Sequence, residues 1–166
     1  MITTSVTALD IHDLSRVSRT YGFSRFYVST PLKAQQELVK RISRHWVEGI
    51  GGEINPSRKT ALSRVRVVDT VQNILQEFAK RSKSIRTVAT GARKSKGSLT
   101  YPEFLKRTAK EKNLLFLFGT GWGLERSLVE QADYKLDPIY GISNYNHLPV
   151  RSAVAVVLDR LYGRIE

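Results

Sequence analysis

Five apolar residues in a row, Leu114-Leu-Phe-Leu-Phe, run straight into Gly119-Thr-Gly-Trp-Gly-Leu124. Such a run has the pattern of a parallel-sheet strand covered on both faces. The three glycines then form a turn where backbone can approach a ligand with no side chain in the way. In open α/β sheets, ligands bind outside the carboxyl ends of the strands. Read on its own, this turn is either a ligand loop or a tight strand-to-helix connection.

The rest of the chain alternates in the same way. Residues 10–22 predict a helix capped by Asp10, with Ile11, Leu14, Ser18 and Tyr21 on one face and Gly22 as its stop. A short strand follows at 25–29. Pro31 opens a second helix with a buried stripe of Leu38, Ile42, His45 and Trp46, ending at Gly49. Residues 49–56 read as a loop, with a short helix across 58–64. A strand at 65–69 leads to a helix capped by Thr70 with stripe Val71, Ile74, Leu75 and Phe78. A strand at 85–90 empties into a glycine-bounded loop. Thr100 and Glu103 have capping-box spacing for a helix to about residue 112. Short elements at 125–130 and 134–136 precede a closing helix with Val150, Ala153, Val154, Val157, Leu158 and Leu161 on one stripe. Strands alternating with helices define an α/β class, a mostly parallel sheet with helices on both faces. With 166 residues and no linker or repeat, a single domain over 1–166 is expected.

Composition bears mainly on partners. The net charge is +12, which points to phosphate polymers, since every neutralised phosphate releases counterions. No apolar run reaches the roughly 20 residues that span a bilayer, and the first residues lack a signal-peptide pattern. The absence of cysteine excludes disulfides, Cys-zinc sites and Cys nucleophiles, and fits a cytoplasmic protein.

The motifs exclude several chemistries. No Gly-Lys-Ser/Thr follows Gly119-Thr-Gly-Trp-Gly123, so it is not a phosphate-binding P-loop, and its spacing departs from a dinucleotide fingerprint. His12, His45 and His147 have no metal-ligand spacing, and no metal is expected. The segment Arg93-Lys-Ser-Lys96 places three cations between glycines just after a strand, which suits a mobile phosphate clamp formed by Arg93, Lys94 and Lys96, or else a disordered loop.

Three segments taken in order carry a resemblance: Ala89-Thr-Gly91, then Leu117-Phe-Gly-Thr-Gly-Trp-Gly-Leu124, then Tyr145-Asn-His-Leu-Pro-Val-Arg-Ser-Ala-Val-Ala155. Together they resemble the SPOUT (α/β-knot) RNA methyltransferases. A bacterial branch of these, predicted to depend on S-adenosylmethionine, is similar also at Thr7-Ala-Leu-Asp-Ile-His-Asp13, Thr20-Tyr-Gly22 and His45-Trp46. The resemblance implies a C-terminal trefoil knot, with S-adenosylmethionine held by three loops. The first would be Ala89, Thr90 and Gly91; the second Gly119, Thr120, Gly121, Trp122 and Gly123. The third would comprise Leu136, Ile139, Asn146, His147, Leu148, Val150, Arg151 and Ser152. It also implies a homodimer, with the first and closing helices partly at the interface. Family members carry a strand ahead of the first helix, and a chain that begins so close to that helix is expected to be a form without it.

In ribose 2′-O methylating members an Asn, an Arg and a Gly are spaced as Asp10, Arg16 and Gly22 are here, which makes Arg16 the catalytic candidate. Arginine is a poor base at its normal pKa, so positioning and charge stabilisation suit it better; the other reading of Arg16 is an exposed helix charge. Asp10 stands in place of the Asn, Gly121 where ribose methylators have Glu, and Pro149 where they often have Asn. The target is therefore left between a ribose 2′-oxygen and a base nitrogen. The expected function is S-adenosylmethionine-dependent methylation of structured RNA (tRNA or rRNA). The alternative is a non-catalytic basic RNA-binding module that keeps a vestigial cofactor pocket.

Overall fold

The computed structural model describes residues 4–143 and 145–164. They fold as two compact units: residues 5–77, and residue 4 together with residues 78–143 and 145–164.

The N-terminal unit contains α1 (Ala8–Thr20), β1 (Phe26–Ser29), α2 (Lys33–Val47), α3 (Ile50–Ile54), α4 (Pro56–Leu62) and β2 (Val65–Val68), and most of α5 (Val71–Lys80). The cap of α1 differs from expectation. Thr7, not Asp10, is the N-cap, because its hydroxyl accepts the Asp10 N–H while the Asp10 carboxylate accepts the Thr7 N–H at 3.0 Å. The helix ends as expected. Gly22 takes φ +82, and the N–H groups of Gly22 and Phe23 close back on the carbonyls of Arg19 and Ser18.

β1 and β2 pair in parallel, Phe26 opposite Val65 through Ser29 opposite Val68. Their core is Ile11, Val28, Val39, Ala61, Leu62 and Val65, with Ile42, Trp46 and Val47 packed against it. The buried stripe of α2 is thus centred on Val39 where Leu38 was expected, and His45 is exposed. Residues expected as a loop after Gly49 form α3 instead. Gly51 and Gly52 are buried there, and a methyl on Gly52 would stand 2.3 Å from the Trp46 carbonyl oxygen. The glycines that suggested a loop are what lets this helix lie against α2.

The C-terminal unit contains β3 (Arg86–Ala89), α6 (Tyr101–Thr108), β4 (Leu114–Leu117), α7 (Arg126–Gln131), β5 (Tyr134–Lys135) and α8 (Val150–Tyr162). The predicted capping box of Thr100 and Glu103 is present. The sheet is all parallel in the order β4-β3-β5, Ala89 lying opposite Leu117 on one side and Lys135 on the other. The central, most buried strand is therefore β3, whereas the apolar run of β4 pairs with β3 alone among the described residues and is half-buried up to Leu117. β3 can be central despite its threonine because Asp133 satisfies it. The Thr87 N–H and hydroxyl each donate to the Asp133 carboxylate at 2.8 Å. Phe104, fully buried, meets the rings of Phe116 and Tyr134 edge-on.

The expected α/β class with parallel strands and intervening helices is what forms. Among the described residues the strands make two sheets, one in each unit, where a single sheet was expected.

Candidate cofactor site

Because β4, β3 and β5 are parallel neighbours, the segments that follow them leave the same edge of the sheet. These segments hold the three loops singled out in the sequence, at 89–91, 119–123 and 136–152. Hydrogen bonds tie them together. The Thr90 hydroxyl donates to the Leu117 carbonyl at 2.8 Å, and the Leu136 N–H donates to the Ala89 carbonyl at 3.0 Å. The Asn146 amide donates to the Ala92 carbonyl at 2.7 Å, joining the third loop to the first.

The second loop is a tight backbone turn. The Gly123 N–H donates to the Thr120 carbonyl, and Gly121 and Gly123 take φ +58 and +89. Gly119 lies against the backbone of Gly123 and Leu124, so closely that no side chain fits. Gly91 and Gly123, by contrast, face open space: a methyl would meet nothing nearer than 3.9 Å at Gly91 and nothing within 4 Å at Gly123. The Thr120 hydroxyl accepts from that of Thr4.

The third loop carries much of the exposed apolar surface. Tyr140, Ile142, Tyr145 and Leu148 are exposed, as is Trp122 on the second loop at 87%. His147 is exposed with its ring edge against Tyr145, 5.5 Å between centroids. Leu136 and Ala89 are buried, so neither presents a side chain to a ligand; Ile139 is half-buried. Val150, Arg151 and Ser152 form the first turn of α8, which begins at Pro149 without a side-chain cap. The N–H groups of this first turn thus receive no side-chain cap from Pro149.

Asp137 was not anticipated as a site residue. Nearly buried, it accepts from the Ser98 hydroxyl and, at 3.3 Å, from Lys94. The Ser98 hydrogen bond, then Lys94, holds its carboxyl below the usual range. This alters the expected phosphate clamp: Lys94 is engaged with Asp137, while Arg93 and Lys96 are exposed. The only sequence cue to Asp137 is its position directly after a strand end.

Arg16 is exposed on α1, and thus belongs to the N-terminal unit whereas the three loops belong to the other. Asp10, expected at the start of that helix as an Asn equivalent, is occupied in the capping box. Among the described residues no group of three or more His, Asp or Glu side chains could hold a metal ion.

Bare glycine backbone, an uncapped helix start and exposed apolar side chains at one sheet edge suit a ligand with apolar faces and polar edges. Solved structures share this fold. The TrmH/SpoU tRNA modifying enzyme of Aquifex aeolicus superposes with a TM-score of 0.59 at 21% identity, covering 96% of this chain and 70% of that one. The SpoU methyltransferase AviRb from Streptomyces viridochromogenes, in complex with AdoMet, superposes with a TM-score of 0.61 at 15% identity, covering 95% and 56%. The chain therefore shares the fold of these SpoU/TrmH methyltransferases.

The sequence model of the SAM-dependent RNA methyltransferase family matches residues 1–163, and the chain belongs to that family. It is 41% identical over 160 residues to a tRNA (guanine-N(1)-)-methyltransferase of Nitratidesulfovibrio vulgaris (strain Hildenborough), covering 96% of this chain but 37% of that protein. It is 35% identical over 172 residues to an uncharacterised protein of Aquifex aeolicus (strain VF5), covering 99% and 81%. The chain thus spans under two fifths of the named tRNA methyltransferase.

Proposed function

We propose that the protein is an S-adenosylmethionine-dependent RNA methyltransferase acting on structured RNA, tRNA or rRNA, at a ribose 2′-oxygen or a base nitrogen. The observation that carries this reading is the emergence of three hydrogen-bonded loops from one edge of β4-β3-β5, with open backbone at Gly91 and Gly123. S-adenosylmethionine, when bound, supplies an electrophilic methyl group. In this proposal the residues of loops 89–91 and 119–123 hold the cofactor through backbone. Ile139, Asn146, His147 and Leu148 wall it, and the first turn of α8, Val150, Arg151 and Ser152, borders it. Arg93 and Lys96 contact RNA phosphates, Lys94 joins them on release from Asp137, and Arg16 positions the acceptor group by charge. The proposal includes the SPOUT C-terminal trefoil knot, a single methyltransferase domain over residues 1–166, a homodimer and a cytoplasmic location where its RNA is found.

The test is calorimetric titration with S-adenosylmethionine and S-adenosylhomocysteine, followed by transfer of labelled methyl to bulk tRNA and rRNA. Saturable binding near one site per chain, with label in RNA, is the expected result. Nucleoside analysis of the labelled RNA then separates ribose from base methylation. A folded protein that binds RNA but neither cofactor would overturn the enzyme reading in favour of a non-catalytic RNA-binding module.

A further inference from the structure

Four helices of the N-terminal unit bring together a group of residues that the cofactor site does not use. Trp46 of α2 lies at its centre. The rings of His12 from α1 and of its own neighbour His45 stand perpendicular to it, each at 5.3 Å. Gly51 of α3 closes one side: a methyl there would come within 2.9 Å of both His45 and Trp46. Arg58 of α4 lies over the Trp46 ring with its guanidinium carbon 4.7 Å from the ring centre.

Arg58 combines an ordered stack with unspent donors. Several other cations spend theirs on the protein. Arg86 pairs with Asp133 at 2.9 Å, Arg126 with Glu130 at 2.7 Å and Lys33 with Asp69 at 3.1 Å, while Arg66 donates to backbone carbonyls. Arg58 is half-buried and fixed against an aromatic face, yet its guanidinium has no hydrogen bond or ion pair with a described residue. Stacking on Trp removes freedom from the side chain without using its N–H fork, which matches a phosphate bidentately.

The local field has the same sign. His12 has a buried Nδ1 without a partner, and burial, then Arg58, with Arg16 and His45 adding, keep its pKa below the usual imidazole value. Of the groups acting on it, Asp13 alone opposes. The field at His12 is thus set mainly by cations, Arg58 first among them.

We propose that Arg58, fixed on Trp46 and flanked by Arg16 and His45, is a preformed site for a backbone phosphate of the RNA. This rests on the reading of the protein as RNA-binding, and it gives the N-terminal unit a contact with RNA separate from the Arg93–Lys96 loop. The requirement is an anion accepting from the guanidinium fork; a base stacked on Trp46 is not required, since Arg58 covers that face.

The experiment measures the affinity of the full chain for unfractionated tRNA between about 50 and 200 mM salt. Each phosphate contact contributes about 0.7–0.9 to the slope of log K against log salt. Arg58→Ala is expected to lower that slope by about one contact and to weaken binding roughly 5- to 10-fold at the lower salt. Arg58→Lys, which keeps charge but loses the fork, restores the slope with only part of the affinity. Lys80→Ala, which removes an exposed cation on α5, changes neither more than about twofold. In a Trp122→Phe background, Trp46 alone reports fluorescence, and tRNA shifts its emission with Arg58 present and not with Arg58→Ala. A parental slope in Arg58→Ala, with the fluorescence response intact, overturns the site. Absence of tRNA binding by the parent chain overturns the RNA reading itself, and this site with it.

Discussion

Gly119→Ala is the substitution that tests most directly whether the glycine turn is built for close backbone approach. A methyl at this position would stand 2.2 Å from the Gly123 carbonyl carbon and 2.4 Å from the Leu124 nitrogen. Carbon contacts need about 3.5 Å, so the turn must open by more than about an ångström. Both obstacles are backbone, held by the hydrogen bond from Gly123 to Thr120, and no rotamer change relieves them. Overpacking costs about 1–3 kcal/mol, and a backbone clash belongs in the upper part of that range. If 2–3 kcal/mol of this falls on the cofactor-bound turn, affinity for S-adenosylmethionine falls roughly 30- to 150-fold at about 1.4 kcal/mol per decade. Calorimetry measures this directly, with circular dichroism confirming that the variant is folded. Gly97→Ala is the control: its φ of +78 makes alanine strained, but open space surrounds it, and cofactor affinity should stay within about threefold. Gly121→Val is intermediate, because its obstacle is the Thr4 methyl at 2.8 Å, which can swing aside, although φ +58 disfavours a branched residue. Parental affinity in folded Gly119→Ala, or an equal loss in Gly97→Ala, would refute the argument.

Three further outcomes are expected. Arg16→Ala leaves calorimetric affinity for S-adenosylmethionine unchanged within about twofold and lowers methyl transfer at least about tenfold in single-turnover assays; equal rates would make Arg16 an ordinary surface charge. Phe104→Ala removes the fully buried ring between Phe116 and Tyr134 and costs about 3–5 kcal/mol by denaturant titration; a loss under 1 kcal/mol would show that the site collapses freely. Asp137→Asn weakens the tie between residues 94–98 and the third loop, which hydrogen exchange reads as faster exchange at those amides. The Asp137 carboxyl is held low, so its contribution is present at neutral pH and is lost as pH falls below the ordinary carboxylate range; protection relative to the intrinsic exchange rate should fall in acid in the parent and fall less in Asp137→Asn.

The elements that could be read in the sequence were those whose signal is local. Thr100 with Glu103, the Gly22 stop and the stripe of α8 each rest on residues within a few positions of one another, and each formed. Thr7-x-x-Asp10 is itself a capping-box spacing and carries the same local signal, with Asp10 as the reciprocal partner and not the cap. Burial was harder to read. The five apolar residues at 114–118 suggested the covered strand, yet β3 is central, because a threonine is as good as a valine there once Asp133, 46 positions away, accepts its hydrogen bonds. The opposite error came from Gly51 and Gly52. Two adjacent glycines favour a loop by propensity, but here the absence of Cβ atoms is what allows α3 to touch Trp46, a gain that only packing reveals.

The same distinction separates the two candidate sites. A glycine turn spends its information within five residues, and its residue types are uncommon enough to be noticed. The group around Trp46 is spread from His12 to Arg58, and every member has an unremarkable reading by itself: a helix histidine, a packed tryptophan, one arginine among many. With a net charge of +12, cation count cannot rank one arginine above another. The ranking comes from satisfaction. Arg86 and Lys94 lie close to carboxylates and lose part of their field to them, whereas Arg58 is held in place by a ring that consumes none of its donors. The stack on Trp46 orders the side chain and leaves its N–H fork over for an anion, which in the proposed reading is supplied by the RNA backbone.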